Sequence, residues 1–354
     1  MNIKKSINTL RRSLMHIITK NIGISHFDRN IDLTTKDEIK RILICRPNHR
    51  LGNLLLITPL LQEITATFPQ CKIDLFVKGN IAPVIFKNYE NVQQIIQLPR
   101  KPFKDITEYI KTWITIRKHR YDIAINADKN SSSGRLSTLF ANSKYKFFGE
   151  DIQKLQSKYN DYKHIAKNPI YNFRYYLSEI GFTAYDKPIA SLDLKLSPSE
   201  IAEGKKRLEE IVNNGKKTIC LFTYATGDKC YSESWWEKFY EILTAIYSDY
   251  NIVEVLPVEN ISRISFKAPS FYSKDIREIG SLIANTEIFI GADSGIMHLA
   301  SSSQITTIGL FSITDPNIYQ PYNNNSLAIT TTNSNTDEWI EILNGILKNT
   351  SKNL

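Results

Sequence analysis

The sequence predicts an α/β fold on mainly parallel sheets, divided into two halves. Three observations carry that expectation. Short apolar runs of strand length alternate with stretches of helical spacing along most of the chain. The alternation is clearest over 288–311, IFIGADSGIMHLASSSQITTIGLF, which reads strand, turn, short helix, strand, the βαβ unit of a parallel sheet. And 354 residues are enough for two domains of ordinary size, each with its own core.

Composition narrows the class. Hydrophobic content of 42% and aromatic content of 11% are globular values, and no apolar run reaches the length that spans a bilayer. The N-terminal stretch lacks the apolar core and cleavage signature of a secretory signal. Cys45, Cys71, Cys220 and Cys230 are scattered, with no CxxC pair. That spacing suits reduced thiols in a cytosol and argues against a zinc site. A net charge of +9 favours an anionic partner, whether nucleic acid, a membrane surface or a phosphorylated substrate. Nucleic acid is not expected, because the aromatic-basic interleaving of its usual binding modules is absent.

Residues 1–38 precede the first domain. Ile3, Ile7, Leu10, Leu14, Ile17 and Ile18 recur at helical steps, while Lys4, Lys5, Arg11, Arg12 and Lys20 fall largely off that stripe. A basic amphipathic helix over 1–22 is expected to lie on an anionic membrane surface. The alternative is a helix docked on the body of the protein. Residues 23–38 read as a polar linker.

The first domain is expected over 39–195. A buried strand at 41–46 leads into a loop containing Asn48 and Gly52, with Asn53 capping a helix over 54–68. Strands at 72–78, 94–98, 121–126 and 144–149 alternate with helices at 82–89, 106–118 and 136–141. The polar loop 128–135, with Asp128, Ser132 and Arg135, follows a strand and precedes a helix, where substrate groups are commonly held. Helices fill 150–215, and 188–198 carries the crossover.

The second domain is expected over 196–330. A helix at 199–213 and a strand at 217–224 open it, and Lys229 lies in the next loop, placed to offer a point charge to a phosphate. An aromatic helix at 235–246, a strand at 251–256 with Glu259 just beyond it, and a helix at 276–285 lead to 288–311. There Asp293-Ser294-Gly295 sits at a strand's carboxyl end and a helix's amino end, an arrangement that favours phosphate. Gly295 allows close backbone approach, and Ser294 and His298 add donors. The plainer alternative makes Asp293 or Ser294 an N-cap and His298 a surface histidine. Residues 331–354 hold a last helix at 336–348 with an apolar stripe at Trp339, Ile340, Leu343 and Leu347. No P-loop, no GxGxxG and no Asp-x-Asp pair occurs, so a metal-bridged nucleotide is not signalled. A cleft between the two halves is the expected site.

These motifs together resemble glycosyltransferase family 9, the heptosyltransferases of lipopolysaccharide core assembly. The resemblance runs over about 41–322. It rests on Arg46-Pro47, Leu51-Gly52-Asn53, Thr58-Pro59-Leu60-Leu61, Lys229 before Trp235-Trp236, Gly291-Ala292-Asp293-Ser294-Gly295 with His298-Leu299-Ala300, and Thr314-Asp315-Pro316. It implies a GT-B fold of two Rossmann-like domains, the C-terminal one binding a nucleotide sugar and the N-terminal one the acceptor. It also implies a last helix that packs back on the N-terminal domain. In family roles, Lys229 contacts the donor diphosphate, Glu259 the donor ribose, and Ser294, Gly295 and His298 cradle the diphosphate, with Asp293 beside the sugar or phosphate.

The implied reaction is inverting and metal-independent, with ADP-heptose as co-substrate, no cofactor, and a glycolipid or surface-glycan acceptor at the inner face of the cytoplasmic membrane. Heptose-transferring members typically have Gly-Asp where this chain has Gly52-Asn53, and that aspartate is the proposed base. An amide can orient a hydroxyl but cannot take its proton. Asp128 and Asp293 are the replacement candidates. The rival expectation is an inert nucleotide-sugar-binding scaffold of a glycan assembly complex.

Overall fold

A computed structural model describes residues 17, 22, 23, 25, 39–100, 105–332 and 334–350. Apart from residues 17 and 22, the amphipathic helix expected over 1–22 lies outside the described residues, as does most of the linker at 23–38. No helix among the described residues is long and apolar enough to cross a membrane. The chain divides into two compact units at 49/50, 58/59 and 190/191.

The first unit is built on a five-stranded sheet of β1 (Arg41–Arg46), β2 (Lys72–Lys78), β3 (Val92–Leu98), β4 (Tyr121–Asn126) and β5 (Ser143–Phe147). Their order is β3-β2-β1-β4-β5, and every pairing is parallel. The strands read as nearly continuous apolar runs because helices cover both faces of such a sheet. Leu43, Cys45, Phe76, Ile96 and Ala124 form part of one core layer, with Trp113 packed on it.

Sequence order in the sheet reverses between β1 and β4, so their carboxyl ends flank the crevice where open α/β sheets bind ligands. Away from that edge, Arg174 grips Glu63 through two bonds of 2.7 and 2.9 Å, and Tyr185 donates to the same carboxylate.

The expected helix over 54–68 is two helices, α1 (Leu51–Leu55) and α2 (Thr58–Thr67). Pro59 explains the break: it has no N–H to continue the first helix and suits the first turn of a new one. Asn53 lies inside α1, and Arg50 rather than Asn53 occupies its N-cap position, with no side-chain capping hydrogen bond. The short piece 50–58 belongs to the second unit, although 39–195 had been expected to form a single domain.

The second unit carries a six-stranded parallel sheet of β6 (Thr218–Phe222), β7 (Asn251–Val255), β8 (Ser270–Phe271), β9 (Ile288–Ala292), β10 (Thr306–Phe311) and β11 (Leu327–Thr330). Its order, β11-β10-β9-β6-β7-β8, reverses between β6 and β9. The two short edge strands, β8 and β11, escaped the sequence reading because two to four residues carry too little periodicity.

The last helix, at Thr336–Thr350, had been expected to pack back on the N-terminal domain. Trp339, Leu343, Ile346 and Leu347 join Trp236, Phe239 and Leu243 in the second unit's own core. The stripe was legible; the partner was not, because an apolar stripe carries no address. Beside that sheet, α8 (Pro198–Ile211) and α10 (Ile276–Ile283) lie in close contact. The Arg277 guanidinium holds Glu200 through bonds of 2.6 and 2.8 Å and the carbonyls of Leu194 and Lys195 at 3.0 and 2.9 Å. The arginine pulls the Glu200 carboxyl far below the usual carboxylate range.

Gly204 lets α8 approach that closely, since a Cβ there would stand 2.2 Å from the backbone oxygen of Ser281. Helix propensity alone makes Gly204→Ala stabilising by about 1 kcal/mol. Overpacking against backbone is expected to reverse the sign, to a loss of about 1 to 3 kcal/mol in chemical denaturation. A stabilised variant would show that the two helices are not held this tightly.

Candidate functional site

In the second unit the switch between β6 and β9 gathers the chemistry. After β9 the chain turns at Asp293 and Ser294 into α11 (Gly295–Ser302). After β6 it runs through a single 3-10 turn at Gly227–Lys229. Parallel neighbours end on the same edge, so the two turns meet. Lys229 Nζ donates to Asp293 Oδ2 at 2.5 Å, and the Thr314 hydroxyl, from the turn after β10, donates to the same oxygen at 2.5 Å. Asp293 is 5% exposed. A buried carboxylate of this kind needs partners, and it has a cation and a hydroxyl.

The lysine side chain is 35% exposed, with its ammonium 5.8 Å from the centre of the Tyr319 ring. An ammonium has three donors and Asp293 takes one, so Lys229 is held in place with capacity left for an anion. The adjoining helix start adds to this. Ser294 caps it by accepting from Met297 N at 3.2 Å, and in helix geometry the N–H groups of Gly295 and Ile296 have no acceptor within the helix. The plain reading of Ser294 as a cap is thus correct as far as its hydroxyl goes. Tyr231 flanks the site, stacked on Trp235 and sharing a hydrogen bond of 2.8 Å with Thr331; burial raises its phenol above the ordinary value.

Gly295 and Gly52 are glycines because two helices touch there. A Cβ on Gly295 would meet Leu51 Cβ at 3.3 Å and Gly52 N at 3.4 Å. One on Gly52 would stand 2.7 Å from His298 Cδ2 and 3.3 Å from Gly295 Cα. His298 is 5% exposed, so its ring edge packs on Gly52 and it is no surface histidine. The backbone approach expected for a ligand at these glycines is, in the structure, an approach of α1 to α11. Asn53 is carried on that α1.

Glu259 occupies an exposed turn beyond β7. The buried acid nearby is Glu254, which the sequence reading passed over because it sits within an apolar strand. Thr223 and Ser262 donate to its two oxygens at 2.5 and 2.6 Å, and those hydroxyls in turn accept from the backbone N–H groups of Arg263, Ile264 and Phe266. Burial raises the Glu254 carboxyl above its ordinary value. The network pins the loop carrying Glu259 to the ends of β6 and β7.

The first unit repeats the logic at its own switch. Arg46, the last residue of β1, is 2% exposed and ion-pairs with Asp128 beyond β4, whose other oxygen accepts from Asn130 N at 3.0 Å. Ser131, not Ser132, caps the helix at Ser132–Phe140 by accepting from Gly134 N. Arg135 folds back so that its Nε donates to Lys129 O at 2.9 Å, and Asn48 contributes backbone bonds to the β1 turn. Arg46 is not among the site candidates that the sequence offers, although a cation closing a buried apolar strand is a readable signal. The described residues contain no group of three or more His, Cys, Asp or Glu side chains placed to hold a metal.

With this geometry in hand, the family model described as glycosyltransferase family 9 (heptosyltransferase) matches residues 273–341, the stretch that contains Asp293, His298 and Thr314. Lipopolysaccharide heptosyltransferase 3 of Escherichia coli is 22% identical over 297 residues, covering 78% of this chain and 85% of that protein. Among solved structures, a glycosyltransferase family 9 protein from Veillonella parvula DSM 2008 superposes with a TM-score of 0.69 at 15% identity, over 91% of this chain and 100% of that one. The E. coli ADP-heptose lipopolysaccharide heptosyltransferase II gives 0.62 at 15% identity, over 88% and 99%. These likenesses establish the GT-B fold.

The contact between Thr314 and Asp293 is directly testable. Thr314→Val removes the hydroxyl from a buried carboxylate and is expected to cost about 1.5 to 3 kcal/mol in thermal or chemical unfolding, with Thr314→Ser close to the parent. Equal stabilities for the Val and Ser variants would show that the bond contributes nothing.

Proposed function

We propose that this chain is a glycosyltransferase of family 9 that moves a heptose from ADP-heptose to a lipopolysaccharide-core or related surface-glycan acceptor, with inversion and without a metal. The observation that carries the donor side is the Lys229–Asp293–Thr314 constellation at the β6/β9 switch, beside the start of α11. When the acceptor oxygen attacks the anomeric carbon, the C1–O bond to the diphosphate breaks and negative charge grows on the leaving oxygens. Lys229 and the N–H groups of Gly295 and Ile296 meet that charge from fixed positions, the preorganised electrostatic contribution that usually dominates. Asp293 keeps the lysine aimed. Glu259, on the loop anchored by Glu254, is assigned to the donor ribose.

The proton of the attacking hydroxyl needs an acceptor, and Asn53 cannot serve; its assigned role is to orient. Asp128 and Asp293 are the carboxylates assigned to this step, with Asn48, Ser132 and Arg135 assigned to the acceptor. Such an acceptor places the enzyme in the cytoplasm, peripheral to the inner membrane face, where the basic segment 1–22 would bind anionic lipid.

Titration calorimetry with ADP, UDP and GDP tests the donor reading. Selective ADP binding, weakened at least tenfold in Lys229→Ala, is the expected result; absence of nucleotide binding would overturn it. Asp128→Asn lowers kcat by about 10² to 10⁴ with ADP affinity unchanged if Asp128 is the base. Asp293→Asn, which also releases Lys229, is expected to weaken ADP binding whether or not it lowers kcat.

A further inference from the structure

The helix α4 (Ile106–Lys118) of the first unit is apolar on two faces, and only one faces the core. Thr112 and Ile116 are buried, and Tyr109 and Trp113 pack on the sheet's core layer. On the other side Ile106, Ile110 and Ile114, spaced four apart, are 57%, 52% and 50% exposed. At about 100° of turn per residue, Ile106, Arg117, Ile110, Ile114, Lys118 and Lys111 share one arc of about 140°. No carboxylate falls inside that arc. Glu108 lies about 60° beyond it and pairs with Lys111 at 3.5 Å, leaving Arg117 and Lys118 without a carboxylate on their own face.

The surface continues past the helix. Arg117 lies 4.9 Å over the exposed ring of Phe140, beside exposed Leu139, and Lys146 adds charge there. Burial, and after it the neighbouring Arg117, lower the Lys146 ammonium from its ordinary value.

Exposed isoleucines alone would not identify a partner. Isoleucines interleaved with cations, with acidic residues kept off the face, match the chemistry of an anionic lipid surface: acyl chains for the isoleucines and headgroup phosphates for the lysines and arginine. We propose that this face of α4, continued by Leu139 and Phe140, is a membrane-contact surface for anionic bilayers. It is separate from the segment 1–22 and independent of the donor reading.

The test uses the full chain. Cys45, Cys71 and Cys220 are buried, so in a Cys230→Ser background the substitution Ile110→Cys provides one accessible thiol for an environment-sensitive fluorophore. Vesicles containing one-third phosphatidylglycerol are expected to shift its emission to the blue, pure phosphatidylcholine to leave it unchanged, and molar salt to reverse the shift. Adding Lys111→Gln and Lys118→Gln is expected to weaken the response about tenfold or more. Unshifted emission from protein that nonetheless sediments with anionic vesicles would overturn the proposal and place the contact elsewhere. A concentration-dependent blue shift without vesicles would also overturn it, assigning the face to a second copy of the chain. ADP titration of the same protein is unaffected by either outcome, so failure here is distinguishable from failure of the donor reading.

Discussion

The ion pair between Lys229 and Asp293 is the interaction on which the second unit's chemistry depends. A carboxylate buried at a strand end is costly without a partner, and a lysine on an open loop has no fixed direction without one. Each supplies what the other lacks. The fold brings them together because the parallel sheet reverses its order between β6 and β9, so the turns after these neighbouring strands open onto one crevice. Thr314 extends the same logic to the third neighbouring strand. Positioning thus comes from topology, and the residues need only be of the right type at each strand's end.

The first unit applies the same rule with other residues. Arg46 closes β1 and Asp128 follows β4, and they meet at that sheet's reversal. Here the arginine is almost fully buried, so the pair fixes the loop 128–135 more than it offers charge to solvent. Asp128 sits in a pairing with a buried arginine, whereas Asp293 sits in one with a lysine that is 35% exposed. The two carboxylates therefore differ in surroundings, which is why kinetics can separate them.

Much of this was legible in the sequence. The strands at 41–46, 72–78, 121–126, 288–292 and 306–311 and the helix at 106–118 fall where apolar period and length put them. The meeting of Lys229 with Asp293 was readable only as two loops of the same kind; their contact depends on strand order, which local pattern does not encode. Glycine was misleading for a definable reason. Gly52 and Gly295 mark close approach, but sequence cannot say whether a ligand or another helix approaches, and here α1 and α11 fill the space. Asn53 reads as a cap because it precedes an apolar run, but the helix starts two residues upstream of it, at Leu51. The apolar stripe of the last helix is readable, and its place in the second unit's core is not, because amphipathicity specifies a buried face and not its partner.

The most direct measurement is a crystal structure of this protein with ADP bound. The account predicts diphosphate oxygens within about 3 Å of Lys229 Nζ and of the Gly295 and Ile296 nitrogens. A diphosphate seated elsewhere, with Lys229 turned away from it, would contradict the account at its centre.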